Sequence, residues 1–269
     1  MSQPSESARP SKKRRFALGC GLSIVVAGLL LFILLKVFDK PLPSGDEGPG
    51  ADAVAERMMA AVDVEAWART GAVEWDFSGR QQHLWDRDRG FARVRFRDQE
   101  VLLDLETRRG VATRGGQTLN VEEAEPLLEK AWALWCNDSF WLNPVAKLFD
   151  DGTRRSLAPI PGSAGDSTGL LVTYGAGGVT PGDSYLWAAG DDGLPHTWWM
   201  WTQILPVGGV KASWDGWVRL DTGARVATRH QIGVLTLELT DVRGAATVTE
   251  LTGGDDPFAP LESWLARGP

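Results

Sequence analysis

Disulfide chemistry is nearly missing from this chain. Its two cysteines are Cys20, inside a long apolar run, and Cys136, in the middle of the sequence. The folded part therefore holds no internal disulfide and must be stable on packing alone. Histidine is scarce as well: His83, His196 and His230 fall on different strand-like segments with no paired spacing. That leaves no metal-ligand motif, so neither a metal nor a cofactor is expected. Net positive charge is confined to the start. Residues 1–36 carry six Lys or Arg against Glu6, net +5, so the remaining residues carry −12 of the total −7. An acidic domain is a poor partner for nucleic acid, whose affinity comes from cations replacing phosphate counterions, and a poor binder of anionic lipid surfaces. No period of 20 to 50 residues recurs, which argues against a propeller or solenoid.

What is present begins with Phe16 to Leu35, twenty residues without a charge. At about 1.5 Å per residue such a helix spans the roughly 30 Å hydrocarbon layer. Lys12, Lys13, Arg14 and Arg15 precede it and only Lys36 and Lys40 follow. The positive-inside rule then puts the tail in the cytoplasm and the rest in the periplasm, as a single-pass inner-membrane protein. A cleaved signal peptide is the rival reading, through the small-x-small triplet Ala51-Asp52-Ala53. The expected division is a basic tail (1–15), an anchor (16–36), a Pro/Gly linker (37–50) that packs on nothing, an extracytoplasmic domain (51–252) and a C-terminal tail (253–269).

Within the domain, 51–69 reads as one helix. From Ala72 the period is two: Val73, Trp75 and Phe77 share one strand face, and Ala92, Val94 and Phe96 alternate with Arg93, Arg95 and Arg97. A tight turn near Asp98-Gln99 would set Arg93 opposite Asp104 and Arg97 opposite Glu100. Asn120 caps a helix starting at Val121, with Glu122, Glu123 and Glu125 in its first turn. The helix runs to about residue 139, and Asp138 suits a cap at its break. Pro144 interrupts it. Strands resume beyond Gly152, and Gly190-Asp191-Asp192-Gly193 marks a hairpin. A mainly β (α+β) fold follows: a curved antiparallel sheet or half-open barrel of about nine or ten strands wrapped around a central helix, preceded by one transmembrane helix.

Motifs for catalysis are weak. Gly182-Asp183-Ser184 has the form of an esterase box but opens a late strand, and the residue three before His230 is Ala227 where that chemistry wants Asp. Turn chemistry explains it better. Gly175-Ala176-Gly177-Gly178 lacks the Lys-Ser/Thr of a phosphate loop. No catalytic residue is assigned, and binding is favoured over catalysis. Aromatics are the informative material, with 13 Trp and 9 Phe. In Trp198-Trp199-Met200-Trp201, Trp198 and Met200 face one way and Trp199 and Trp201 the other, so both sheet faces are apolar there. The residues expected to line an apolar ligand site are Trp132, Trp135, Phe140 and Trp141 from the helix with Trp75, Phe77, Trp199 and Trp201 from strands. Stacked indoles suit sugars as well as acyl chains.

The order of elements resembles a known superfamily. An N-terminal helix, antiparallel strands including Gly90-Phe91-Ala92-Arg93-Val94-Arg95-Phe96, a central helix and further strands are similar, over residues 51 to 245, to the lipoprotein carriers LolA and LolB and related mycobacterial lipid-binding lipoproteins. The resemblance implies a half-open barrel whose concave side, lidded by helices, holds an acyl chain. The chain departs from those carriers in its transmembrane anchor, which turns a shuttle into a tethered acceptor, chaperone or sensor. The expected function is a membrane-tethered binding protein for an apolar ligand, lipid or lipoprotein, in the bacterial cell envelope. An envelope enzyme acting on glycan or lipid and a structural domain of an envelope complex are the alternatives.

Overall fold

The computed structural model describes residues 39–163 and 167–267. The anchor expected at 16–36 and the basic tail before it lie outside the described residues, and among the described residues no helix is long and apolar enough to cross a membrane.

The chain begins with strand β1 (Asp46–Glu47), helices α1 (Pro49–Ala61) and α2 (Val64–Ala68), and strands β2 (Ala72–Phe77), β3 (Gln81–Asp86), β4 (Phe91–Phe96), β5 (Gln99–Asp104), β6 (Gly110–Arg114) and β7 (Gln117–Thr118). Helix α3 (Val121–Leu142) and a 3-10 turn at Pro144–Lys147 follow. Then come β8 (Thr153–Pro159), β9 (Thr168–Tyr174), β10 (Ser184–Ala189), β11 (Pro195–Trp201), β12 (Val210–Ser213), β13 (Val218–Arg219), β14 (Arg225–Val226), β15 (Arg229–Ile232) and β16 (Leu235–Ala245). Helices α4 (Val248–Thr252) and α5 (Ala259–Ala266) end the described chain.

Fourteen strands form one curved, unclosed sheet in the order β1-β8-β9-β10-β11-β12-β15-β16-β2-β3-β4-β5-β6-β7, and β13 and β14 form a separate ribbon. The architecture is the mainly β one expected, but the strand count exceeds nine or ten. Two-residue edge strands such as β1 and β7 are too short to leave a periodic trace in sequence. The sheet has two arms, β2–β7 and β8–β12 with β15, joined by β16. The first residues of β16 pair with β15 and its last with β2, with a register shift between Thr240 and Arg243. Asp241 sits in that shift in the left-handed region (φ 53°), the mark of a bulge that bends a strand.

Helix α3 crosses the concave side. Asn120 accepts from the Glu123 N–H and the Glu123 side chain reaches back to the Asn120 N–H, a complete capping box. Its 22 residues extend roughly 33 Å, enough to touch both arms. Its first half packs Ala124, Leu127 and Ala131 on Ala92, Val94, Phe96, Val101, Leu103 and Ala112 of the first arm. Its last turn packs Trp141 and Leu142 into the large cluster of the second.

The ends of the domain differ from expectation. Residues 39–50 are no free linker: β1 pairs with β8, Lys40 bonds to Gly208, and α1 starts at Pro49. Ala51-Asp52-Ala53 lies inside α1 with Ala51 fully buried, so cleavage there would remove β1 and the first turn of the helix. The single helix expected over 51–69 is two, because Asp63 takes a left-handed conformation and its side chain caps α2 through the Ala66 N–H. Residues 253–267 are no free tail either. Phe258 and Leu261 are fully buried with Leu84, Leu102, Val248 and Leu251 on the outer face of the first arm. Arg89 fastens them, bonding to Asp86 at 2.7 Å, Asp256 at 2.8 Å and Glu262 at 2.9 Å. These acids raise the Arg89 pKa, Asp256 most, and Arg89 in turn holds the Asp256 carboxyl below its usual range.

Candidate functional site

The concave side is built by strand alternation. In β2, Trp75 and Phe77 point inward and are buried, as Val73 is. In the second arm the hairpin Ala189–Pro195 sets Trp187 directly opposite Trp198, and Tyr185 opposite Met200. All four point inward, joined by Trp214 from the segment after β12. The rings interlock: Trp187 to Trp198 is 4.7 Å between centroids, Trp187 to Trp214 5.0 Å and Trp198 to Trp214 4.9 Å. Helix α3 closes the group with Trp141, 4.8 Å from Trp198, and Phe140, whose ring meets Tyr174 at 5.3 Å and Tyr185 at 5.0 Å.

Polar atoms inside this apolar wall are few and particular. The indole N–H groups of Trp75, Trp135, Trp187, Trp198 and Trp214 are buried and find no acceptor among the described residues. His230 packs 4.3 Å from Trp214 and 5.1 Å from Trp141, with Nδ1 3.1 Å from the Ser213 carbonyl and Nε2 unpartnered. Burial lowers its pKa to about 4, against the opposing pull of the Ser213 bond and Asp215, so the imidazole is neutral at pH 7. Burial likewise raises the phenol pKa of both Tyr174 and Tyr185, which stay protonated.

A second polar feature ties the helix to the sheet. Asp138 of α3 lies 2.7 Å from Nε2 of His83 on β3, and both side chains are buried. Asn137 donates to the other Asp138 oxygen at 2.9 Å, and the His83 ring stacks on Trp75 at 4.6 Å. The expected role of Asp138 as a helix cap gives way to this buried tie. The helix runs past it to Leu142, so no break lies there to cap.

The eight aromatic residues expected at the site divide. Trp75, Phe77, Trp135, Phe140 and Trp141 come together on the concave side. Trp132 packs over the first arm, with Arg108 stacked 3.6 Å above its ring. Trp199 and Trp201 do not join them: they lie on the outer face with Ala158, Leu171, Leu186 and Ala188. Alternation makes the two pairs of Trp198-Trp199-Met200-Trp201 opposite but does not say which is inside, and it is Trp198 and Met200 that are. Sequence reasoning missed Trp187, Trp214, His230 and the His83–Asp138 pair. Counting outward from the Gly190–Gly193 turn would have set Trp187 opposite His196, and it is the closing pair Ala189–Pro195 and the register shift at Ala188–Ala189 that bring it opposite Trp198.

Gly182-Asp183-Ser184 is a turn. Asp183 accepts from the Thr180 hydroxyl at 2.6 Å and the Gln203 N–H at 2.9 Å, while the Ser184 hydroxyl pairs with Thr173 at 2.8 Å. Burial raises the Cys136 thiol to about 11, which makes it a poor nucleophile at neutral pH. Among the described residues no three His, Cys, Asp or Glu side chains gather as a metal site. No protein-family model matches this sequence, and no curated protein matches it.

Proposed function

We propose that this chain is a membrane-tethered, extracytoplasmic binding protein for an apolar ligand, the acyl part of a lipid or lipoprotein, with residues 16–35 as the anchor. The observation that carries the reading is the concave interior of an unclosed sheet, lidded by α3 and walled by aromatic rings whose buried indole N–H groups lack acceptors in the protein. Apolar walls with a few converging donors suit an amphiphile, a hydrocarbon chain ending in an ester or carboxylate. A core that served stability alone would leave fewer such donors, since each buried N–H without a partner costs about 1–3 kcal/mol.

The unclosed sheet offers a way in. With β1 and β7 at its two ends the sheet is no closed barrel, and α3, packed on both arms and tied to β3 through the His83–Asp138 pair, is the element that would move to admit a ligand. The test is organic extraction of the purified protein followed by mass spectrometry, with titration of a brominated fatty acid against tryptophan fluorescence. Co-purifying acyl species near one per chain and saturable quenching are expected. Trace lipid and linear, unsaturable quenching would sink the reading.

A further inference from the structure

Several exposed large apolar side chains gather at one end of the sheet, while Val121 and Val218 stand exposed in other elements. Val179, Ile204, Val234 and Leu235 are 52%, 69%, 96% and 70% exposed. They lie in or beside the connections from β9 to β10, β11 to β12 and β15 to β16. The registers bring these connections together: Ser184 pairs with both Thr173 and Trp201, Met200 with Val210, and Ala212 with Ile232. Within an acidic domain these connections hold one charged residue, the buried Asp183. Residues 175–182, 200–210 and 231–237 contain no Asp, Glu, Lys or Arg.

The chain enters the fold at that same end and is fastened there. The Gly208 N–H donates to Asp39 Oδ1 at 2.8 Å, the Lys40 N–H to the Gly208 carbonyl at 3.1 Å, and Trp201 Nε1–H to the Lys40 carbonyl at 2.8 Å. The fit requires glycine at 208, where a Cβ would lie 2.4 Å from the Trp201 ring. Leu42, 48% exposed, follows directly. The uncharged run ends at Leu35, and the four residues 36–39 reach at most about 14 Å when fully extended. A bilayer's polar layer is roughly 6 Å thick on each side, so this end of the domain cannot stand far from it.

Resting on the anchor reading of residues 16–35, we infer that this end, where the exposed residues of three connections carry no charge, is a membrane-docking face, with Leu42, Val179, Ile204, Val234 and Leu235 seated in the headgroup layer of the bilayer from which the chain emerges. The occupant is the lipid surface because the fastened segment leaves so short a reach. The lack of charge on the exposed residues of the three connections lessens the repulsion that the acidic remainder would meet at anionic lipid, although the Asp150-Asp151 turn, bonded through Gly152 to Gly175, adjoins them. Trp201, half-buried with its N–H satisfied by Lys40, has the amphipathic character of an interfacial indole.

The test uses the full chain with Cys20→Ser and Cys136→Ser, assembled into phosphatidylcholine nanodiscs. Single substitutions Ile204→Cys and Val234→Cys, with Val121→Cys and Val218→Cys as controls in other elements, are labelled with an environment-sensitive fluorophore. Near-ultraviolet circular dichroism checks that each variant is folded. Labels at 204 and 234 should be roughly threefold less accessible to iodide than the controls and should be quenched by doxyl-phosphatidylcholine in the disc. Iodide reaching them as freely as the controls, in discs that retain the chain, overturns the docking face and leaves the anchor standing. A chain that elutes apart from the discs overturns both. Shielding from iodide without doxyl quenching would mark a second copy of the chain as the occupant, and would also overturn the proposal.

Discussion

The two arms of the sheet bury their inner faces with different chemistry. In the first arm the residues of β4–β6 beneath the first half of α3 are Ala92, Val94, Phe96, Val101, Leu103 and Ala112, without one polar side-chain atom, while β2 and β3 present Trp75 and His83, and α4 and α5 cover part of the outer face as well. In the second arm the inner face is Tyr174, Tyr185, Trp187, Trp198 and Trp214 around His230, and among the described residues no helix joins the Trp199 cluster behind it. Strands β4–β6 of the first arm are organised as a core and nothing more. The second carries donors that a core does not need, and separating stability from binding there is the way to test the comparison.

The largest effect should come from Trp198→Ala. It empties the centre of the interlocked rings and should cost about 3–5 kcal/mol, as large-to-small core changes do. Leu103→Ala in the first arm falls in a similar range of about 2–5 kcal/mol. The two are distinguished by ligand. Trp198→Phe, which keeps much of the volume and removes the N–H, should lower fatty-acid affinity while leaving most of the stability. Leu103→Ala should lower the denaturation midpoint and leave affinity alone. Equal loss of affinity in Leu103→Ala and Trp198→Phe, measured by quenching titration at one temperature, would erase the functional difference between the arms.

A somewhat smaller effect follows from His230. Its folded pKa of about 4 lies below the ordinary 6.5 because the charged form is desolvated. Between those values the unfolded chain binds more protons than the folded one, so stability rises with pH. The contribution is complete above pH 6.5 and is lost as pH falls toward 4, by about 3 kcal/mol for a shift of this size. His230→Gln should flatten that part of the curve of unfolding free energy against pH. A slope unchanged by the substitution would place the acid sensitivity elsewhere.

Much of the first arm was legible in the sequence, because it is made of signals that sequence carries. Asn120 and Glu123 announce the start of α3, and the alternation around Val73 and Val94 announces half-buried strands. The second arm was less legible, for a physical reason. Period two fixes which side chains share a face but not which face is inside, so Trp199 and Trp201 were as eligible as Trp198 and Met200. Only the approach of Trp141 and Trp214 to Trp198 decides it, and both come from outside the hairpin. The His83–Asp138 pair, 55 residues apart, leaves no local trace at all.

The smallest prediction turns on a shift of one turn position on the outer face of the first arm. A turn near Asp98-Gln99 would have set Arg97 against Glu100. The hairpin instead closes on Phe96 and Gln99, with Arg97 in the left-handed region (φ 57°) at its tip, which places Arg95 opposite Glu100 in an ion pair. Arg93 then faces Leu102 and not Asp104. Its partly buried guanidinium has its pKa lowered by desolvation and by Arg95. The Arg95–Glu100 pair is half-exposed, so its coupling should be only about 0.2–1 kcal/mol. A double-mutant cycle with Arg95→Ala and Glu100→Ala should recover that coupling and lose part of it in high salt. The same cycle with Arg97→Ala should give none. Coupling through Arg97 would move the register of β4 against β5 by two residues, which keeps Val94 and Val101 inward but sets Val94 opposite Leu103 in place of Val101, so even a few tenths of a kcal/mol test which pairing the hairpin adopts.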